Sequence, residues 1–98
     1  MAHKAMYRLS PRAETDLEDI WLYTFKTWSS RQADAYYGDL VAAFEGLADG
    51  RKSGRAVDIR ENYFKYAVAS HLIFYRLSED GIDVIRILHQ MMDAKKYL

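Results

Sequence analysis

Cysteine is absent from the 98 residues, which removes disulfides, thiolate metal sites and cysteine nucleophiles together. No apolar run is long enough to span a bilayer. Met1-Ala2-His3-Lys4-Ala5 carries positive charge with no apolar stretch behind it, so no secretory signal is expected and a cytoplasmic location is. Net charge is missing as well. Fourteen Lys and Arg balance fourteen Asp and Glu, which excludes the global basic field that drives nonspecific nucleic-acid binding. There is no Gly-rich phosphate loop, serine nucleophile motif or metalloprotease helix, and His3 and His71 have no partner at metal-ligand spacing. The motifs therefore point to no catalytic residue, no metal and no cofactor.

What is present is apolar and aromatic. Half the residues are hydrophobic, with eight Tyr, four Phe and two Trp, enough to build one core. One domain over residues 1–98 is expected, with residues 1–5 as a disordered or extended N-terminal extension. The charge is divided unevenly. Residues 1–50 hold five basic and eight acidic side chains, a net −3, and residues 51–98 hold nine and six, a net +3. An anionic partner should prefer the second half.

Met6-Tyr7-Arg8-Leu9 reads as a short edge strand. Ser10-Pro11 reads as a helix start, with the hydroxyl capping free N–H groups and proline tolerated in the first turn. Ala13, Leu17, Ile20, Trp21 and Trp28 share one stripe of a helix over about residues 11–28, with Phe25 at its edge and Tyr23 off it. Ser29-Ser30 caps a second helix, whose core stripe is Ala33, Tyr36, Tyr37, Leu40, Val41, Phe44, Leu47 and Ala48, ending at Gly50. Core packing is the expectation for most of Trp21, Tyr23, Trp28, Tyr36 and Tyr37, with Tyr23 the exception. Residues 49–55 form an exposed basic loop. Three β-rich runs follow, 63–68, 71–77 and 82–88, the last two joined by Ser78-Glu79-Asp80-Gly81 with its Asp-Gly hairpin signal. The expected fold class is α+β in the order β-α-α-β-β-β, a small antiparallel sheet with the N-terminal helical hairpin packed on one face.

Leu9-Ser10-Pro11, Ala13, Asp16-Leu17, Ile20-Trp21 and Tyr23-Thr24 at the start resemble the opening of toxins of the RelE/ParE family, nearer its ParE branch. So do Tyr75-Arg76 and the ending Ile85-Arg86-Ile87-Leu88-His89-Gln90, Asp93 and Tyr97-Leu98. The resemblance runs from about Met6 to Leu98. It implies the toxin of a type II toxin-antitoxin pair, neutralised by a ParD-like antitoxin and inhibiting growth by a protein-protein poisoning of DNA gyrase. The positions after His89-Gln90 are often basic in the family; here they are Met91-Met92.

The C-terminal segment is the expected target-binding surface, carried by Arg86, His89, Gln90, Asp93, Lys95 and Lys96. The sheet face left open by the helices should bind the antitoxin through Tyr63, Phe64, Tyr66 and Tyr75. One alternative is a RelE-like ribosome-dependent mRNA nuclease built from Arg60, Arg76, Arg86, His89, Lys95, Lys96 and Tyr97. Another is a degenerate toxin that only binds its antitoxin. His89 reads as either a structural or a functional histidine.

Overall fold

The computed structural model describes residues 5–98; the expected extension over residues 1–5 lies outside it except for Ala5. The fold is mixed α+β. It consists of strand β1 (Met6–Leu9), helices α1 (Pro11–Thr27) and α2 (Ser30–Ala48), strands β2 (Arg55–Ala56), β3 (Tyr63–Val68), β4 (His71–Ser78) and β5 (Gly81–His89), and a last turn α3 (Ala94–Tyr97). The sheet order is β1-β5-β4-β3-β2. The three long strands form the expected antiparallel meander, while the edge strand β1 runs parallel to β5. Strand β2, two residues at the end of the basic loop, adds a fifth member beside Phe64 and Lys65.

Local chemistry accounts for the helix ends. Ser10 Oγ accepts from Ala13 N–H (3.0 Å) and donates to the Ile85 carbonyl (2.7 Å), so the cap of α1 is also its anchor to the sheet. Ser29 caps α2 through Gln32 N–H, leaving only Trp28 and Ser29 between the helices and forcing them antiparallel. The core gathers Ala13 and Leu17 from α1, Leu40, Ala43, Phe44 and Leu47 from α2, and Ile73, Tyr75, Ile82, Val84 and Ile87 from the sheet. Fully buried side chains such as Leu40 and Phe44 each contribute roughly 1.5–3 kcal/mol.

Two expectations about burial are corrected. Trp28, placed on the core stripe of α1, is 68% exposed, and Phe25 and Tyr37 are exposed as well. Helix α1 is about 25 Å long, and only its first turns lie over the sheet: Ala13 and Leu17 are buried, Ile20 is half-buried, and beyond them the helix overhangs. Second, the sheet face away from the helices is not uniformly open. Phe74 and Leu88 are buried there, outside the helix-facing core.

The register of β4 and β5 slips between Phe74 and Tyr75, leaving Ile85 as an extra residue in β5. Ile82 and Val84 face the helices before this bulge, and Ile87 does so after it. Where the β4–β5 hairpin turns, Gly81 lies so close to the Met6 backbone that a Cβ would collide with its carbonyl oxygen.

Candidate functional site

Four surfaces carry the side chains of interest. The first is the C-terminal pocket, of about 440 Å³, lined by Ser10, Pro11, Arg12, Arg60, Tyr63, Ile85, Arg86, Tyr97 and Leu98. Arg86 is its centre and is largely buried. Its Nε and Nη2 donate to the two carboxylate oxygens of Asp16 at 2.8 and 2.9 Å, and Asp16 also accepts from Ile87 N–H at 2.9 Å. The carboxylate thus satisfies the β5 edge where β1 has ended and holds the guanidinium in a two-pronged ion pair. That hydrogen bonding keeps Arg86 firmly protonated. Its remaining face meets Tyr97: Nη1 donates to the Tyr97 carbonyl (3.3 Å), and the ring lies 5.6 Å from the guanidinium carbon. Arg60 lies over the Tyr63 ring at 5.7 Å.

The segment leading to Tyr97 is built from short-range bonds. Gln90 N–H donates to the Ser70 carbonyl, Met92 N–H to that of His89, and Asp93 caps α3 by accepting from Lys95 N–H. Gln90, Asp93, Lys95 and Lys96 are exposed, as are Met91 and Met92. Of the candidate target-binding residues, Arg86 is committed to internal partners and the four exposed polar ones are free to meet solvent.

The second surface is the β3 edge. Tyr63, Phe64 and Tyr66 are half-buried, and Phe64 and Tyr66 lean onto the helix-facing core. Tyr75 is 3% exposed. Its hydroxyl accepts from Gly54 N–H (2.8 Å), and Phe64 stacks on its ring, so Tyr75 fastens the basic loop to the sheet. Burial pushes its hydroxyl pKa up. A Cβ at Gly54 would strike Lys65 and the Tyr75 hydroxyl, so this crossing requires glycine.

The third is the outward face of the helical hairpin, where Trp21 and Tyr37 lie although the sequence pattern places both in the core. A groove of about 510 Å³ is lined by Glu18, Trp21, Leu22, Asp34 and Tyr37. Trp21 Nε1 donates to Asp34 (2.9 Å) and stacks on Phe25 with ring centroids 5.2 Å apart.

The fourth lies at the hairpin tip, a groove of about 450 Å³ lined in part by Tyr23, Trp28, Tyr36, Ser70, His71 and His89. Tyr36 Oη contacts both the Val68 carbonyl (2.9 Å) and His71 Nδ1 (2.7 Å), while His89 Nδ1 accepts from Met91 N–H (3.1 Å). Burial, with His89 nearby, pulls the His71 pKa below its ordinary value. Sequence spacing could not find this pair, because only the register His71↔His89 brings the two together.

The cationic and tyrosine groups proposed for a nuclease are thereby divided. Arg60, Arg86 and Tyr97 share the C-terminal pocket, Arg76 lies in a separate cleft where its Nε contacts Asp83 (3.4 Å), and His89 belongs to the hairpin-tip groove. No group of three His, Cys, Asp or Glu side chains suited to a metal ion occurs among the described residues, and none of the described helices is long and apolar enough to cross a membrane.

Residues 7–94 match the family model described as ParE toxin of type II toxin-antitoxin system, parDE. The chain is 44% identical over 94 residues to Toxin ParE1 of Mycobacterium tuberculosis, covering 94% of this chain and 96% of that protein. It is 40% identical over 93 residues to Toxin ParE1 of Caulobacter vibrioides, with the same coverage. Among solved structures, the chromosomal ParDE toxin-antitoxin system from P. aeruginosa has the same fold, with a TM-score of 0.75 at 16% identity over 90% of this chain and 98% of that one. With the family's match running from the first strand to the last helical turn, the chain belongs to the ParE toxins of type II toxin-antitoxin systems.

Proposed function

We propose that this ParE-type toxin arrests growth in the cytoplasm by binding DNA gyrase, without catalysing a reaction, and that a ParD-like antitoxin neutralises it. The observation that carries the non-catalytic reading is the composition of the C-terminal pocket. It is lined by arginines and tyrosines with no His, Asp or Glu side chain among the lining residues, and its central arginine is already neutralised by Asp16. The target contact in this reading is the exposed outer side of residues 86–98: Gln90, Asp93, Lys95 and Lys96, with His89 at its root and Arg86 holding the segment in place through Tyr97. Deleting residues 93–98 should reduce toxicity while leaving the helix-facing core folded; an unchanged growth defect would count against the assignment.

For the antitoxin, two neighbouring features support a docking surface. The outer side of Tyr66–Val68 has no strand paired to it among the described residues, which suits an added strand beside Tyr66, in line with β2, which already covers Tyr63 and Phe64. The exposed Leu22, Phe25 and Tyr37 of the hairpin offer apolar area to an amphipathic segment. Tyr75 supports the first surface from beneath. Tyr66→Ala should therefore weaken antitoxin binding more than folding, whereas Tyr75→Ala should lower both.

The test of the whole reading is to induce the chain alone in bacterial cells and follow DNA and protein synthesis separately by pulse labelling. Early loss of DNA synthesis with translation intact, followed by inhibition of purified gyrase in a supercoiling assay, is the expected result. Early loss of translation would favour an mRNA nuclease, for which Arg60, Arg86 and Tyr97 in one pocket supply phosphate-binding groups. No effect on either would leave a protein that only binds its antitoxin.

A further inference from the structure

We infer that His71 and His89 form a binding site for a borderline divalent cation of the zinc, nickel and copper group. The argument begins with one proton. Tyr36 has a single hydroxyl hydrogen and two close neighbours, the Val68 carbonyl at 2.9 Å and His71 Nδ1 at 2.7 Å. A carbonyl can only accept, so the hydroxyl donates to Val68 and His71 Nδ1 donates to the hydroxyl. Neutral His71 therefore carries its proton on Nδ1 and presents a lone pair on Nε2. This is how metal-binding histidines are held, with the distal ring N–H fixed by a second group. The lowered pKa of His71 keeps that lone pair available at neutral pH.

His89 is the direct cross-strand partner of His71, with ring centroids 5.4 Å apart. Its Nδ1 accepts from Met91 N–H, which places its own proton on Nε2. Binding a cation at Nε2 moves that proton to Nδ1, where it would face the Met91 N–H, so the Met91 amide turns to solvent as the coordination bond forms, with no net proton released. Because no third His, Cys, Asp or Glu completes a set among the described residues, the other coordination positions go to water, and the groove of about 450 Å³ has room for it. Such a site exchanges its ion instead of holding a permanent structural one. It would tie the first residue of β4 to the last of β5, at the root of the C-terminal segment.

The test is calorimetric titration of the tag-free full-length chain with zinc chloride and nickel chloride at neutral pH. One ion per chain is expected, with saturable binding lost in His71→Gln and in His89→Gln but kept in His3→Gln. Tyr36→Phe, which frees the His71 ring, should weaken binding about tenfold. No saturable binding to the unmodified chain, binding that survives both histidine changes, or loss on His3→Gln would each overturn the proposal. Since a glutamine variant could fail to fold, nickel broadening of backbone amide resonances in the unmodified chain gives an independent reading. Broadening centred on Ser70, His71, His89 and Met91 is expected, and broadening centred elsewhere refutes the site.

Discussion

The outward face of the helical hairpin and the middle of β5 use their side chains in opposite ways. On the hairpin, Leu22, Tyr23, Phe25, Trp28 and Tyr37 are apolar or aromatic and exposed. In β5, a charged residue, Arg86, is largely buried and fully partnered. The reason is geometric in both cases. A helix longer than the sheet beneath it must overhang, whatever its periodicity says. A strand whose neighbour stops early leaves backbone N–H groups that a carboxylate can satisfy, and that carboxylate then draws in a cation. Polarity predicts burial only where the partner element reaches.

The contrast is sharpened most by removing Asp16. Asp16→Ala leaves Arg86 without its anion and Ile87 N–H without an acceptor, so stability to urea should fall by about 3 kcal/mol. Arg86→Lys keeps the charge but loses the paired geometry, and should fall between that variant and the unmodified chain. Gly54→Ala forces the basic loop away from Lys65 and Tyr75, with an expected loss of about 2 kcal/mol in the same measurement.

A smaller effect is expected from pH. His71 has a folded pKa below its ordinary value near 6.5, so the unfolded chain binds the proton more readily. Its contribution to stability is complete above about pH 6.5 and is lost as pH falls from there through the lowered folded value. His71→Gln should flatten the stability profile in that window. Tyr23, Thr24, Gln32, Tyr36, Asp39 and His89 share its groove, and Asp16 acts in the opposite sense at longer range, so the slope is to be compared between the two chains, not taken as absolute. The smallest effect should come from Trp28→Ala, within about 0.5 kcal/mol of the unmodified chain. A loss of several kcal/mol would mean that the overhanging end of α1 packs on something after all.

Much of the architecture was legible because it rests on local signals. Ser10-Pro11 and Ser29-Ser30 mark helix starts, and Asp80-Gly81 marks the last hairpin. The β3–β4 reversal carries no such mark. It passes through Ala69 with φ at 49°, a left-handed conformation that the sequence Val68-Ala69-Ser70-His71 does not advertise. The candidate site was less legible. Arg86 was singled out, but its partner Asp16 lies seventy positions away and reads locally as one more acidic residue favoured by the start of a helix. The hidden side of Tyr75, the pairing of His71 with His89 and the exposure of Trp28 all depend on register or on element length, neither of which a residue's neighbours in the chain record.

The extra residue in β5 gives that strand two phases. Its first half presents even-numbered positions to the helices and its second half odd-numbered ones, with Ile85 as the change of step. Excising that one residue would restore an unbroken alternation from Gly81 to His89 with both halves still facing as they do now, because Val84 on the helix side would be followed by Arg86 on the other and Ile87 on the helix side again. What would go is the Ile85 carbonyl that accepts from Ser10 Oγ, and with it the tie between the start of α1 and the sheet. The strand would serve the core and the histidine groove without its extra residue, so the apparent defect in the pattern belongs to the helix: one residue out of step offers a backbone carbonyl as the foothold for α1.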